Sequence, residues 1–417
     1  MSREVFRHRE GKLYCEGCSL ETVARELSTP FYVYSIECIR ERYRSLDRAF
    51  SDVPHLICYA LKANSQPELL RALLNEGAGV EVVSGAELQL ALSVGVDPEK
   101  IVFSGVGKTE AELGAGVRAG IFLFTVESEG ELAALNRLAL GFGRCASVAL
   151  RINPDIDPQT HPHITTGIQT AKFGLDPDRA LELYVRRQEF HGLDFTAIHT
   201  HLGSQLTSIE PLGEAVRLLE KFVDDLKARG VNLTHVNWGG GLGIDYGEEK
   251  PPSFEEYAEL ILPWISGSGA RLILEPGRAL VGPAGALVMR VLYVKTVHGS
   301  RFAVVDGGMT DMLRPALYDA YHRIVPLKMN DGKGERIDVV GAVCESSDLF
   351  GRNRDLGDIR AGDYLAILDT GAYGYSMSFN YNLRPRPAEI VVEGEKYRVV
   401  RKAETAEALV TRELGEG

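Results

Sequence analysis

Short apolar runs rich in β-branched residues alternate with amphipathic stretches from residue 55 onward. The stretches between the runs, such as "PELLRALLNEG", "GAELQLALSVG" and "EGELAALNRLAL", place apolar residues at helical spacing. Eight strand–helix units in succession predict a TIM-like (β/α)8 barrel. The predicted strands are "HLICYALK" (55–62), "VEVVS" (80–84), "IVFSG" (101–105), "IFLFTVE" (121–127), "SVALRINP" (147–154), "FTAIHTHLG" (195–203), "THVNWGGG" (234–241) and "RLILEPGR" (271–278).

The alternation stops after Gly282. The runs "ALVMRVLYVKTV", "RFAVVDGG", "RIDVVGAVCES", "DYLAILDTGAY" and "AEIVVEGEKYRVV" predict strands with few helices between them, before a short helix near "AETAEALVTREL". The pattern therefore predicts an α/β fold in which the barrel is followed by an all-β C-terminal domain. We expect the barrel to span residues 31–280, and the β-rich domain to combine residues 281–417 with residues 1–30.

Composition and net charge indicate which classes of binding partner are disfavoured. The 417 residues are 45% hydrophobic and 25% charged, as in globular proteins, and the formal net charge of −12 disfavours nucleic acid and anionic membranes as partners. No apolar stretch has the length of a membrane span, and the first residues are too polar for a secretory signal, so we expect a cytoplasmic protein. Six cysteines in this length do not form a disulfide framework, and the pair Cys15 and Cys18 is interpreted as incidental.

Several predicted strands end on polar residues, and in a barrel these ends meet at one mouth where active sites lie. Lys62 is one of them, since it directly follows the apolar run "LICYAL". Its stem could be buried while its ammonium reaches water. Alternatively, burial favours the neutral amine, which forms Schiff bases with carbonyl compounds, including pyridoxal phosphate.

The glycine-rich stretch "NWGGGLG" (237–243) follows the seventh predicted strand. It is either a tight turn or a nest of backbone N–H groups that binds an anion, and phosphate sites in barrels commonly follow strands seven and eight. The stretch "SGVGKTE" is not a P-loop, because Val102 stands where the motif requires its first glycine.

Two further groups leave alternatives open. His199 and His201 are predicted to share one face of a strand, where they could begin a metal site of a barrel hydrolase or lie against an aromatic cofactor. In "EPGR", Glu275 could form an ion pair with Arg278, or it could pair with the ring nitrogen of a pyridine cofactor.

Taken together, the motifs resemble those of the diaminopimelate decarboxylases, pyridoxal-phosphate enzymes with an alanine-racemase-like barrel. Ornithine, arginine and carboxynorspermidine decarboxylases share the lysine, the glycine loop and "EPGR". The segments around Arg314 and Tyr381 are most similar to diaminopimelate enzymes. The matching segments, between about residues 30 and 390, are "YALKAN", "SGAELQLA", "NPDIDPQTHPHITTGIQTAKFGL", "HTHLGSQ", "NWGGGLGIDY", "EPGR", "DGGMTDMLRPALYDAYHRI", "CESSDLF" and "GAYGYSMSFNYNLRPRPAEI".

The resemblance implies pyridoxal 5'-phosphate as cofactor, with Lys62 as its Schiff-base lysine. It implies that His201 faces the cofactor ring and that Glu275 pairs with the pyridine nitrogen. The residues implied to hold phosphate are Ser204, Gly240, Gly241, Gly243 and the start of "EPGR", Gly277 and Arg278.

The resemblance also implies a homodimer with shared active sites, because Cys344 would reprotonate the substrate carbon in the partner subunit's site. The small-molecule amino-acid substrate would be meso-diaminopimelate, converted to L-lysine. Arg278 and Arg314 would hold its retained carboxylate, and Glu345 its retained amine. The residues implied to contact substrate or cofactor are Arg278, Arg314, Tyr318, Glu345 and Tyr373.

Two positions depart from the family pattern. Glu81 stands where the family usually has aspartate, and Ser347 replaces a common glycine in "CESSD". Both affect expectations about specificity more than about the reaction. The remaining alternatives are a decarboxylase of ornithine, arginine or carboxynorspermidine, a metal-dependent barrel hydrolase built on the two histidines, and a cofactor-binding regulatory protein, against which the presence of Cys344 argues.

Overall fold

The protein is described by a computed structural model. It covers residues 5–157, 166–168, 171–247, 249–329, 332, 334 and 336–415, so the centre of the segment "NPDIDPQTHPHITTGIQTAKFGL" lies outside the described residues. The chain divides into two compact units. The first comprises Glu41–Asp245 and Glu249–Leu280, and the second comprises Met1–Arg40, Tyr246–Glu248 and Val281–Gly417.

Eight parallel strands close the barrel of the first unit, which confirms the predicted fold class. They follow one another around the barrel in chain order, and the last strand pairs with the first. In that order the strands are His55–Ala60, Gly79–Val82, Ile101–Phe103, Leu123–Val126, Ala146–Arg151, Leu193–His199, His235–Asn237 and Arg271–Leu274.

Most of the observed strands end before the polar residues that the sequence pattern assigned to them. Lys62 lies in the short 3-10 helix Leu61–Ala63 that follows the first strand. The prediction that His199 and His201 share a face of one strand is wrong, because the sixth strand ends at His199 and His201 lies in the loop beyond it. The side chains of Lys62 and His201 therefore extend from turns beyond the carboxyl ends of the strands.

The barrel interior is filled by small and medium apolar side chains from six strands, Leu56, Cys58, Val102, Leu123, Ala149, Ala197 and Ile273. Helices follow the strands, and several begin at the caps that the sequence supplies. Thr109 and Ser253, for example, each form a capping box with a glutamate three residues later. The helices of this unit are Pro67–Leu74, Gly85–Val94, Glu110–Ala119, Glu129–Gly141, Pro177–Val185, Glu210–Ala228 and Phe254–Ser268, while Ile36–Ala49 and Arg278–Val281 span the boundaries with the second unit.

The second unit is built on a mixed sheet. Its long central strand, Gly285–Val297, pairs antiparallel with Phe31–Ser35, which in turn pairs in parallel with Ala388–Glu393. Phe31–Ser35 thus belongs to this unit, although the predicted boundary placed residue 31 in the barrel; all five of its residues are buried, as suits a strand inside a sheet. The other strands are Ser300–Val305, Ile324–Pro326, Ile337–Val340, Leu349–Arg354, Tyr364–Leu368 and Lys396–Arg401, with Phe6–Arg9, Lys12–Cys15 and Cys18–Ser19 forming a small separate sheet.

Three helices belong to this unit as well, Leu20–Glu26, Arg314–Tyr318 and the expected C-terminal helix Ala406–Glu413. Side chains from the small sheet, the first helix and the mixed sheet share one apolar core, which includes Leu13, Val23, Val33, Val288 and Ile390. Across the described residues, no helix has both the length and the apolar character that crossing a bilayer requires.

Candidate active site

The carboxyl ends of the barrel strands bring together the side chains that the sequence singled out in this unit. Lys62 follows the first strand and Glu275 follows the eighth, and these two strands are hydrogen-bonded neighbours. Glu81 lies on the second strand, which pairs with the other edge of the first. The mouth of the barrel therefore has one lysine between two acidic strand positions.

Lys62 forms an ion pair with Glu81. Its Nζ lies 3.0 Å from Oε1 and 2.9 Å from Oε2 of that carboxylate. The Glu81 side chain is 1% exposed, whereas that of Lys62 is 36% exposed. Burial raises the pKa of the Glu81 carboxyl, and the nearby negative charge of Glu275 raises it further. The positive charge of Lys62 lowers this pKa, but the net shift is upward. The lysine thus carries the charge that a buried carboxylate needs, while it stays accessible from the mouth.

Glu275 is buried and has two different donors. His199 Nε2 lies 3.2 Å from Oε2, and Asn237 Nδ2 donates to Oε1 over 2.6 Å. Burial alone would raise the pKa of Glu275, but His199, Lys62 and Asn237 together hold that pKa below its usual value. The barrel therefore maintains Glu275 as an anion and Glu81 as a carboxyl that is harder to ionise.

His201 is half-buried at the mouth and is fixed by the glycine loop. The N–H of Gly240 donates to His201 Nδ1 over 3.1 Å, so Nδ1 carries no proton. Burial lowers the pKa of His201 well below its usual value, and the positive charges of Arg151 and Lys62 lower it further. The imidazole is consequently neutral and presents its N–H at Nε2.

Arg151 ties the base of the His201 loop to the neighbouring strand. Its Nη2 donates to the carbonyl of His201 over 3.3 Å, and its Nη1 pairs with Glu127 Oε1 over 2.9 Å. Both side chains of this ion pair are almost fully buried, which restricts their movement. Glu127 also accepts the N–H of Gly174 over 3.1 Å, so the connection between the fifth and sixth strands shares the same anchor.

The glycine loop after the seventh strand packs too closely for larger residues. A Cβ on Gly240 would overlap the carbonyl oxygen of Glu275, and one on Gly243 would approach the carbonyl of Leu206 to 2.9 Å. The N–H of Gly243 is already donated to Leu206, but within the described part of the chain the N–H of Gly241 has no protein acceptor. The loop thus offers backbone N–H to a ligand, as a nest does.

The remaining predicted phosphate residues lie beside this loop. Arg278 Nη2 donates to Ser204 Oγ over 2.8 Å, which connects the turn after the eighth strand to the loop after the sixth. A Cβ on Gly277 would approach Ala63 Cβ to 3.0 Å, so this turn packs directly against the turn that carries Lys62. The structure therefore brings Ser204, Gly277 and Arg278 close to one another, and their role in phosphate binding stays a prediction.

Five predicted site residues lie in the second unit. Arg314 is buried at the start of the helix Arg314–Tyr318, and Tyr318 is one turn later on the same face. Tyr373 has a left-handed backbone, with φ of 57°, which is costly for a tyrosine.

Cys344 and Glu345 lie on an exposed loop built around Asp348. The Asp348 carboxylate accepts the N–H groups of Met309 and Val343, each over 2.6 Å. Glu345 accepts the hydroxyl of Tyr381 over 2.7 Å. Ser347, the replacement for glycine, is exposed and is absent from the described residues with positive φ, so the loop does not require glycine there.

The alternative of a metal site receives no structural support. The His199 imidazole faces Glu275, while His201 is bonded to the glycine loop. Among the residues that the structure describes, no three or more His, Cys, Asp or Glu side chains are grouped in a way that could hold a metal ion.

Sequence reasoning missed Asn237 and Glu127 as site residues, and it recognised Glu81 only as a departure from a pattern. Each of the three stands on a barrel strand or directly after its last residue. A search for polar residues at predicted strand ends would have found Glu127, because it closes the predicted strand 121–127, whereas Glu81 and Asn237 lie inside their predicted strands.

Comparisons with known proteins agree with this geometry. A family model described as "Pyridoxal-dependent decarboxylase, pyridoxal binding domain" matches residues 36–282. The diaminopimelate decarboxylase of Vibrio cholerae is 44% identical over 97% of this chain and 98% of its own length. The diaminopimelate decarboxylase of Aquifex aeolicus is 42% identical over 98% of this chain and 97% of its own length. The crystal structure of diaminopimelate decarboxylase from M. jannaschii in co-complex with L-lysine has a TM-score of 0.94 at 38% identity, covering 98% of this chain and 97% of that one.

We predict that Gly240→Ala weakens binding of pyridoxal phosphate by about 1–3 kcal/mol, because the new methyl group displaces the loop from the Glu275 carbonyl. Titration of cofactor-free protein, followed by absorbance, measures the dissociation constant. Gly130→Ala is the matched control, since a Cβ there meets nothing within 4 Å. Equal affinities in the two variants would show that close packing of the loop does not support anion binding.

Proposed function

Because this chain belongs to the diaminopimelate decarboxylases, within the pyridoxal-dependent decarboxylases, we propose that it converts meso-diaminopimelate to L-lysine and carbon dioxide in the cytoplasm. Identity of 44% over nearly the full length of a diaminopimelate decarboxylase supports the substrate. The observation that carries the chemistry is the accessible Lys62 beside a buried, ionised Glu275 and a glycine loop.

The residues at the barrel mouth fit pyridoxal phosphate. The N–H of Gly241 lacks a protein acceptor among the described residues, as a phosphate cradle requires, and Ser204 with Arg278 adds polar groups beside it. When bound, the cofactor supplies an electron sink for the negative charge left on the substrate carbon. We assign Lys62 as the residue that attaches it, and the Gly241 and Gly277 turns as the holders of its phosphate.

Glu275 and His201 would tune the cofactor from two directions. An ionised carboxylate opposite the pyridine nitrogen keeps a proton on that nitrogen, which strengthens the electron sink. The low pKa of Glu275 is set by His199, Lys62 and Asn237, so these residues support that role. The neutral His201 can lie against the ring without adding a positive charge.

The substrate has two amino-acid ends, and only one loses its carboxylate. We assign Arg314, with Arg278, to the carboxylate that is retained and Glu345 to the retained amine, with Tyr318 and Tyr373 as further contacts. A guanidinium group holds a carboxylate through forked, charge-assisted hydrogen bonds. Diamine-forming decarboxylation of ornithine has no retained carboxylate, so Arg314 distinguishes the two substrate classes.

Arg314→Leu should weaken transition-state binding of diaminopimelate by about 2–3 kcal/mol, because a charge-assisted contact is lost. This loss corresponds to a roughly 30- to 150-fold lower kcat/KM. Carbon dioxide release is measured with diaminopimelate, ornithine, arginine and carboxynorspermidine as candidate substrates. Arg352→Leu removes an exposed guanidinium from the same unit and is the matched control. Preference of the wild-type protein for ornithine, or an Arg314→Leu variant as active as the control, would contradict the assignment.

We further propose a homodimer with two shared active sites, in which Cys344 returns a proton to the substrate carbon in the partner's site. Cys344 and Glu345 are exposed in the single chain, as residues that serve another subunit would be. A two-fold dimer would then contain two equivalent sites, each with Lys62 from one chain and Cys344 from the other.

Mixing two inactive variants tests the shared site. Lys62→Ala and Cys344→Ala proteins are combined under conditions that exchange subunits, with exchange confirmed by mass spectrometry of differently tagged chains. About half of the dimers are then mixed and have one intact site of two, so roughly a quarter of wild-type activity should return. If both residues belonged to one chain's site, mixing would restore nothing.

A further inference from the structure

His322 is a fully buried histidine that holds Arg314. Arg314 Nη1 lies 2.7 Å from His322 Nε2, and His322 Nδ1 lies 2.9 Å from the carbonyl oxygen of Leu368. His322 is 0% exposed and Arg314 is 5% exposed. The imidazole therefore connects the guanidinium to the strand Tyr364–Leu368 in the interior of the second unit.

The two hydrogen bonds define the protonation of the imidazole. A guanidinium only donates, so Nε2 of His322 must accept, and a backbone carbonyl only accepts, so Nδ1 must donate. Both conditions are met by one neutral tautomer with its proton on Nδ1. A backbone hydrogen bond links the same two segments. The N–H of Leu368 donates to the carbonyl of Arg323, the residue after His322, over 2.9 Å.

Tyr246 fixes the plane of the guanidinium. The Arg314 Cζ lies 4.6 Å from the centre of the Tyr246 ring. The same ring packs edge-on against His322, with 4.7 Å between centroids and 66° between planes. Arg314 is thus held on one edge by an imidazole and on one face by an aromatic ring.

A neutral partner differs from a carboxylate partner in its effect on a bound anion. A carboxylate would orient Arg314 but would also cancel its charge and compete with the carboxylate of a ligand. A neutral imidazole accepts one of the five guanidinium N–H groups and leaves the positive charge in place. The contact with His322 therefore orients Arg314 without cancelling its charge.

We propose that His322 is the positioning residue that orients Arg314 toward the retained carboxylate of the substrate. The proposal rests on the proposed role of Arg314 and adds a determinant of substrate specificity to the residues assigned to the site. The proposal requires that replacing His322 weakens the binding of ligands with a distal carboxylate and leaves the affinity for ligands without one unchanged.

Two ligands separate these cases in the loaded enzyme. Lysine carries the retained amino-acid end, whereas cadaverine has the same chain and amines without the carboxylate. The variants His322→Gln and His322→Met have similar length and both lose the bond to Leu368, but only glutamine offers Arg314 an acceptor oxygen. Dissociation constants are read from the change in cofactor absorbance, and the steady-state constants for diaminopimelate are measured in parallel.

His322→Met should bind lysine about tenfold more weakly, with cadaverine affinity within about twofold of wild type, and should raise KM for diaminopimelate more than it lowers kcat. His322→Gln should recover most of the lysine affinity. If His322→Met does not fold, His322→Asn replaces it, because its shorter amide can still donate to Leu368 but cannot reach Arg314.

Three results would overturn the proposal. These are unchanged lysine affinity in the variant without an acceptor, an equal loss for lysine and cadaverine, or a glutamine variant as weak as the methionine one. The Arg314→Leu variant distinguishes failure of the His322 proposal from failure of the proposed function. If that variant binds lysine normally, Arg314 does not hold the carboxylate; if it alone loses lysine, Arg314 acts without help from His322.

Discussion

Two carboxylates, Glu81 and Glu275, are buried on either side of the first strand at the mouth of the barrel, and a buried carboxylate is costly unless charge or hydrogen bonds compensate it. The chain meets this constraint in two different ways. Glu81 receives the ammonium of Lys62, while Glu275 receives an imidazole and an amide. The difference accounts for the opposite directions of the two pKa shifts, which are downward for Glu275 and upward for Glu81, and it explains the lysine at the end of an apolar run.

The other parts of the mouth are arranged around this pair. The glycine loop packs against the carbonyl of Glu275 and donates to His201, so one loop fixes both residues assigned to the cofactor ring. The extra methylene of Glu81, compared with the aspartate usual in the family, places both carboxylate oxygens within 3.0 Å of Lys62. In the second unit, the buried guanidinium of Arg314 contacts a neutral histidine and an aromatic ring.

Strand and helix periodicity was enough to predict the barrel, because eight parallel strands buried on both faces leave a strong repeating signal. Periodicity could not place His201, since a strand pattern does not show where the ladder stops, nor Phe31–Ser35, since its two partners lie hundreds of residues later in the chain. The roles of Lys62 and Glu275 could be anticipated from strand ends and from family resemblance. The partners Asn237 and His322 could not be chosen from sequence, because hydrogen bonds between distant segments carry no local pattern.

The most direct test of this account is the identity of the lysine that attaches the cofactor. Lys108 is the informative competitor, since it also follows a barrel strand and pairs with a carboxylate, Glu131, over 2.7 Å, but its side chain is 0% exposed. Borohydride reduction of the loaded protein makes the attachment permanent, and digestion followed by mass spectrometry locates it. The added mass is expected on the peptide that contains Lys62. Modification of Lys108 or another lysine, with Lys62 unmodified, would contradict it.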